Sequence, residues 1–218
     1  MAFDHRLVPK MNNQQEVFEN FLNKAVNPRW PNGIGDSDHH LATIFGLTLQ
    51  IRAKKILELG VRWGDTSEPM VCAASMIGGH LTAVDIDQTL WECPEDLKPY
   101  YTFVKSDAIA FLEQEVERGA YYDMIYIDDW HAYEHVKKEL ELVDKITDKR
   151  SIILLHDLMA FGDLNGKVAE YHWPMDSPVG GEWSSGGPTR AVFDLGKDKW
   201  EWVTIPINNG LTILRKTE

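Results

Sequence analysis

Apolar positions along the chain follow two rhythms. From Gln15 to Ala25 the spacing is helical, with Val17, Phe18, Phe21 and Leu22 on one face. After a Pro/Gly/Asn-rich stretch from Asn27 to Gly35, Asp36 or Ser37 can cap a second helix that runs to about Ile51. Beyond it, short apolar runs of strand length alternate with helical segments. The pattern predicts strands at Lys55–Leu59, Leu81–Ile86, Tyr101–Val104, Met124–Asp128 and Ile152–Leu155. It predicts helices near Ser67–Ile77, Ala108–Arg118 and Tyr133–Ile146, with a short one near Gln88–Leu97. Pro69 falls in a first helical turn, where a missing N–H does no harm. The runs Met124–Ile127 and Ile152–Leu155 are apolar on both faces, as in a parallel sheet covered by helices on each side. Two last runs, Trp200–Ile207 and Leu211–Arg215, flank Asn208-Asn209-Gly210, a hairpin signal that makes the final strand antiparallel.

The chain's 218 residues suit one α/β domain, 1–218, with N-terminal helices (1–51) covering a site on a core formed by 52–218. A formal net charge of −12 with no basic patch argues against a nucleic-acid partner. Lys137-Lys138 and Lys149-Arg150 read as solvated pairs. Cys72 and Cys93 make no disulfide framework, and neither a signal-peptide core nor a membrane-length apolar run is present. The expected compartment is the cytoplasm, with no membrane partner.

Candidate chemistry begins at Glu58-Leu59-Gly60-Val61-Arg62-Trp63-Gly64-Asp65-Thr66, where a buried strand meets a tight turn and a helix start. Glycines here permit positive φ and close approach of a ligand, and the helix N-terminus offers free N–H groups to its anionic part. The Glu-x-Gly-x-x-x-Gly spacing is not that of the dinucleotide enzymes. It resembles the first motif of class I S-adenosylmethionine (SAM)-dependent methyltransferases. Acids then recur at the strand ends: Asp85 after the second, Asp107 after the third, Asp128 and Asp129 after the fourth, and Asp157 after the fifth. Ligands of open α/β sheets bind beyond these carboxyl ends, and clustered carboxylates need a cation or a donor-rich ligand among them.

The segments Asp123–Tyr133 and Ser151–Met159 resemble metal-dependent small-molecule O-methyltransferases, both the catechol O-methyltransferase-like enzymes and the branch of macrolide-sugar, rhamnosyl and cephalosporin-hydroxylase-like proteins. The likeness runs from about Gly35 to Met159 and includes the final hairpin. It implies a Rossmann-like sheet, mostly parallel with a C-terminal antiparallel hairpin. It implies Glu58, Gly60, Gly64 and Thr66 around the methionine moiety, Asp85 on the ribose, and Asp107, Asp129 and Trp130 near the adenine. Asp128 and Asp157 would hold a divalent metal, Mg²⁺ or Mn²⁺, and His131 would act as general base.

Two departures qualify this. Leu158 stands where the catechol-type pattern has an amide ligand, and His156 stands where the sugar-modifying enzymes have Glu. His156 is either a metal ligand or a supporting core histidine; adjacent strand residues point to opposite faces, so it converges with Asp157 only if the strand has already turned. His39 and His40 open the second helix and read as one capping contact and one solvated ring; His135 has no evident pattern. The Gly/Pro/Ser-rich stretch from Tyr171 to Pro188, with Trp173 and Trp183, reads as a loop covering the acceptor or packing on a second subunit of a homodimer. The leading reading is SAM-dependent methyl transfer to a hydroxyl of a small molecule. An NAD-type oxidoreductase and a non-catalytic SAM- or nucleotide-binding module are the alternatives.

Overall fold

A computed structural model of the chain describes residues 12–27, 35–89, 91–167 and 186–218. Helix α1 (Asn12–Val26) precedes α2 (Leu41–Gln50). There follow β1 (Lys55–Leu59), α3 (Ser67–Ile77), β2 (His80–Asp85), β3 (Tyr101–Lys105), α4 (Ala108–Glu117), β4 (Met124–Ile127), α5 (Tyr133–Val143) and β5 (Ile152–His156). The chain continues through α6 (Gly187–Asp194), β6 (Trp200–Ile205) and β7 (Leu211–Lys216). Seven strands form one sheet in the order β3-β2-β1-β4-β5-β7-β6, the first five mutually parallel and β7 antiparallel to both its neighbours. No helix among the described residues is long and apolar enough to cross a membrane.

The period of two sorts the central strands onto two cores. Leu57, Leu59, Ile125, Ile127, Ile153 and Leu155 face α4, α5 and α6, where Leu112, Leu140 and Val192 meet them. Ile56, Met124, Tyr126 and Leu154 face the other layer, built on Phe21, Leu41, Ile44 and Met70. Full burial of each such aliphatic or aromatic side chain contributes about 1.5–3 kcal/mol, which is why these strands tolerate no polar alternation.

The N-terminal helices belong to the second layer. Phe18, Phe21 and Phe45 pack ring to ring at 5.1–5.3 Å between centroids. Lys24 reaches Asp65 (2.6 Å) and Glu68 (2.8 Å), pinning α1 to the start of α3.

Three local expectations change. Residues 88–89 and 91–97 form no helix; 95–97 are a turn that leads into a single 3₁₀ turn at Lys98–Tyr100. Ser37 makes no side-chain cap, and α2 is entered through a 3₁₀ turn, Asp38–His40. Helix α6 has no counterpart in the apolar pattern, since it is short and emerges from a Gly/Pro-rich stretch. Most of the predicted acceptor-covering loop, 171–185, lies outside the described residues.

Candidate active site

Strand order reverses between β1 and β4, and a cavity opens there beyond the strands' carboxyl ends. Its wall is Gly60 to Trp63, Asp65 and Thr66 on one side and Asp128, Asp129, His131 and Asp157 on the other, with Gly35, Asp36 and Ser37 above. The two sides are stitched by backbone: Asp128 N–H donates to Leu59 O and Gly60 N–H to Val84 O, both at 2.9 Å. Gly60 has φ +86°, and a Cβ there would strike the carbonyl of Asp128. The glycine is thus required by the protein's own closely packed turn before any ligand arrives. Gly64, at φ +74°, does not line the cavity; a Cβ would collide with Trp91.

Beneath this turn lies Glu58, wholly buried, accepting hydrogen bonds from Thr66 Oγ1 (2.6 Å) and Ser67 Oγ (2.5 Å). Burial outweighs those two donors and pushes its carboxyl up to about 8. Glu58 therefore anchors the first turn of α3 as a neutral acid. Asp85 braces the turn from the other side: Oδ2 accepts from the N–H groups of Val61 (2.8 Å) and Arg62 (2.9 Å), and Oδ1 from Asp87 N–H (2.9 Å). Asp85, expected at the ribose, thus already accepts from three backbone amides. Asp107 caps α4 through Ala110 N–H (2.9 Å). Trp130 is 45% exposed and leans on His135, 5.5 Å between ring centroids.

The ends of β4 and β5 bring four ionisable groups together. His131 Nε2 lies 2.6 Å from Asp157 Oδ2 and 3.4 Å from Asp128 Oδ1. His156 Nδ1 lies 3.1 Å from Asp157 Oδ1 and 3.5 Å from Asp128 Oδ1. Asp157 has φ +66°, so the chain has turned after β5 and both neighbours reach the cluster. Tyr126 donates to Asp128 Oδ2 at 3.0 Å, and Phe161 stacks on the His131 ring. Burial alone would lower His131, but the Asp157 and Asp128 charges prevail and raise it to about 10. His156 is raised well above its ordinary value against the same opposition. Burial would raise both carboxyls; the imidazoles instead hold Asp128 and Asp157 far below the usual carboxylate range. Without a metal, the four groups form a charge-balanced tetrad.

Several contributors were not foreseen. Asp36 lines the cavity instead of capping a helix, and burial together with the Asp128 charge raises its carboxyl. His40 is fully buried, not solvated, with its ring 5.4 Å from that of His156; burial and the His156 charge push it down to about 4. Arg62 and Trp63 form the cavity lip, with the guanidinium 4.1 Å over the indole ring. Nothing in the local sequence distinguishes these four from ordinary turn residues.

Residues 57–158 match the family of methyltransferase domains. In structure the chain is similar to an O-methyltransferase from Bacillus cereus solved in complex with SAH, at 16% identity and TM-score 0.58, covering 97% of this chain and 93% of that one. It is also similar to the O-methyltransferase TomG from Streptomyces achromogenes, involved in tomaymycin synthesis and solved with SAM, at 14% identity and TM-score 0.60, covering 93% and 90%. A third similar structure is MycE from the mycinamycin biosynthetic pathway, with Mg, SAH and mycinamycin VI, at 16% identity and TM-score 0.57, covering 93% of this chain and 54% of that one. Comparison with curated protein sequences gives no match. The fold is that of the class I methyltransferases. The methyltransferase-domain match covers 102 of the chain's 218 residues.

Proposed function

We propose that the chain is a methyltransferase that takes its methyl group from SAM and delivers it to a hydroxyl of a small molecule, with Asp128 and Asp157 holding a divalent ion and His131 acting as base. The observation that carries the reading is the convergence of Asp128, His131 and Asp157 on the cavity wall that begins at Gly60. The SAM, SAH and Mg named with the similar structures support it.

The donor set fits a divalent ion. Asp128 and Asp157 each offer a carboxylate oxygen, the two within 4.8 Å of each other and of a His131 ring nitrogen that is reserved for the acceptor proton. Two carboxylate oxygens suit Mg²⁺ or Mn²⁺. An ion bound there would lower the pKa of an acceptor hydroxyl. His156 is wholly buried with Nδ1 turned to both carboxylates, and we assign it the role of orienting them.

SAM brings an electrophilic methyl on a sulfonium, and the reaction is an in-line displacement. The acceptor oxygen forms a bond to the methyl carbon as the C–S bond breaks, and the acceptor proton passes to His131 Nε2. The Gly60 turn, Thr66 and Asp129 hold the cofactor against one wall while the β4 and β5 ends align the acceptor. Only a neutral imidazole can take a proton, yet Asp157 and Asp128 keep His131 protonated when their charges are unbalanced. Base catalysis by His131 therefore requires that something else balance the two carboxylates, the electrostatic reason for pairing an ion with this base.

The test is calorimetry with SAM and SAH, followed by SAH release across a panel of hydroxylated acceptors with and without EDTA. Binding with Mn²⁺- or Mg²⁺-dependent turnover is expected. Absence of SAM and SAH binding would sink the proposal; binding without turnover on any acceptor would reduce the chain to a non-catalytic module.

A further inference from the structure

Immediately beside the tetrad, at the next residue of the chain, a second group of metal-competent side chains converges, of which His135 and Glu139 take no part in the mechanism above. Asp129 Oδ2 lies 3.0 Å from His135 Nε2, and Glu139 Oε1 lies 3.7 Å from the same nitrogen. One donor atom from each of the three falls within 4.8 Å of the others. His135 and Glu139 share a face of α5, four residues apart, and aim back at the end of β4.

Glu139 is the anomaly. It is fully buried, and neither of its carboxylate oxygens has a hydrogen-bond partner; buried Asp129 Oδ1 also has none. The neighbouring cation, Lys138, reaches Glu113 at 3.4 Å instead. A buried carboxylate without donors is costly, more so with a second carboxylate facing it. Burial and the facing Asp129 raise the Glu139 carboxyl well above its ordinary value, and among the described residues its oxygens have no hydroxyl, amide or basic donor of the kind Glu58 has in Thr66 and Ser67.

We propose that Asp129, His135 and Glu139 form a second divalent-cation site, selective for a first-row transition ion such as Zn²⁺ or Mn²⁺ over Mg²⁺. Two oxygens and one imidazole nitrogen are the donor set such ions favour. The nitrogen–oxygen separations of 3.0 and 3.7 Å are those spanned by ligands that each stand about 2.0–2.2 Å from a common ion. Asp129 also lines the cavity, which gives an ion its path inward. The site stands whether or not the chain transfers methyl groups to hydroxyls.

Calorimetric titration of the full chain with Zn²⁺ tests it, in an Asp157→Asn background that disables the neighbouring cluster. About one equivalent of Zn²⁺ should bind, and adding His135→Ala should weaken that binding at least tenfold. Unchanged Zn²⁺ affinity in the folded double variant overturns the proposal. Wild-type crystals soaked in zinc chloride decide the matter if a variant fails to fold. An anomalous peak between His135 Nε2 and the two carboxylates is expected; an empty position in a soak that fills Asp128 and Asp157 rejects the site.

Discussion

The buried acids Glu58 and Asp128 stand on neighbouring parallel strands, face the same layer of helices, and end in opposite states. Glu58 is surrounded by hydroxyls and burial wins, so it is neutral near pH 7. Asp128, partly open to the cavity, is surrounded by two imidazoles and a tyrosine hydroxyl, and it stays ionised although burial pushes the other way. The floor of the site is thus built from a neutral acid and a backbone-braced Asp85, whereas its rim is built from ions. Charge kept in a low-dielectric environment is what binds a metal or moves a proton; the neutral floor holds shape.

The sharpest way to break this contrast is at the rim. His131→Ala should lower kcat by about 10²–10⁴ while leaving SAM affinity nearly unchanged; His131→Lys should retain part of the activity. Wild-type kcat in a folded His131→Ala protein would remove the base from the mechanism. Asp157→Asn leaves two raised imidazoles facing a single carboxylate, and should destabilise the metal-free protein by about 3–5 kcal/mol. The same change should abolish the rise in melting temperature that Mn²⁺ gives the wild type. A variant that melts like wild type with and without Mn²⁺ would mean the tetrad is not the ion's seat.

Changes in the floor should act on binding and stability, and act less. Asp85→Ala frees the N–H groups of Val61, Arg62 and Asp87, and should weaken SAM binding by about 1–3 kcal/mol. Unaltered calorimetric affinity would detach the turn from cofactor binding. Near pH 5 the smallest effect is expected from Glu58→Gln. Its carboxyl is raised from 4.5 to about 8, so the folded state holds a proton that the unfolded chain has lost. The stability this acid contributes is present below pH 4.5 and is lost as pH rises toward 8. Denaturant titrations should therefore show Glu58→Gln gaining on wild type by up to about 1.4 kcal/mol per pH unit across that window. A constant difference from pH 5 to pH 8 would mean Glu58 is ionised like Asp128.

How much of this was legible beforehand follows from what each signal depends on. The five parallel strands lie within a residue or two of their expected bounds, because runs such as Met124–Ile127 are apolar on both faces and only a covered parallel sheet accepts them. Asp128 and Asp157 were legible for a similar reason, since strand ends converge in a sheet of this order, whereas His131 came from the resemblance of Asp123–Tyr133 to the O-methyltransferases. Asp36 and His40 reach the site only through the packing of the N-terminal layer, which no local pattern encodes. The His135/Glu139 pair could have been found from its four-residue spacing on α5. The state of Asp85 could not, since two of its three partners are backbone amides of the distant turn at Val61 and Arg62.

The place of β7 between β5 and β6 has a consequence for how the protein is made. Leu211 pairs with His156, about 55 residues earlier, so the apolar edge of β5 waits for the last strand to be synthesised. At about 5–20 residues per second that wait is roughly 3 to 11 seconds. During it, Ile152–His156 presents an open, apolar strand edge, the feature most prone to pairing with another chain. A nascent chain with this topology is at greatest risk of aggregation late in translation, and a chaperone that shields strand edges would matter most to it then.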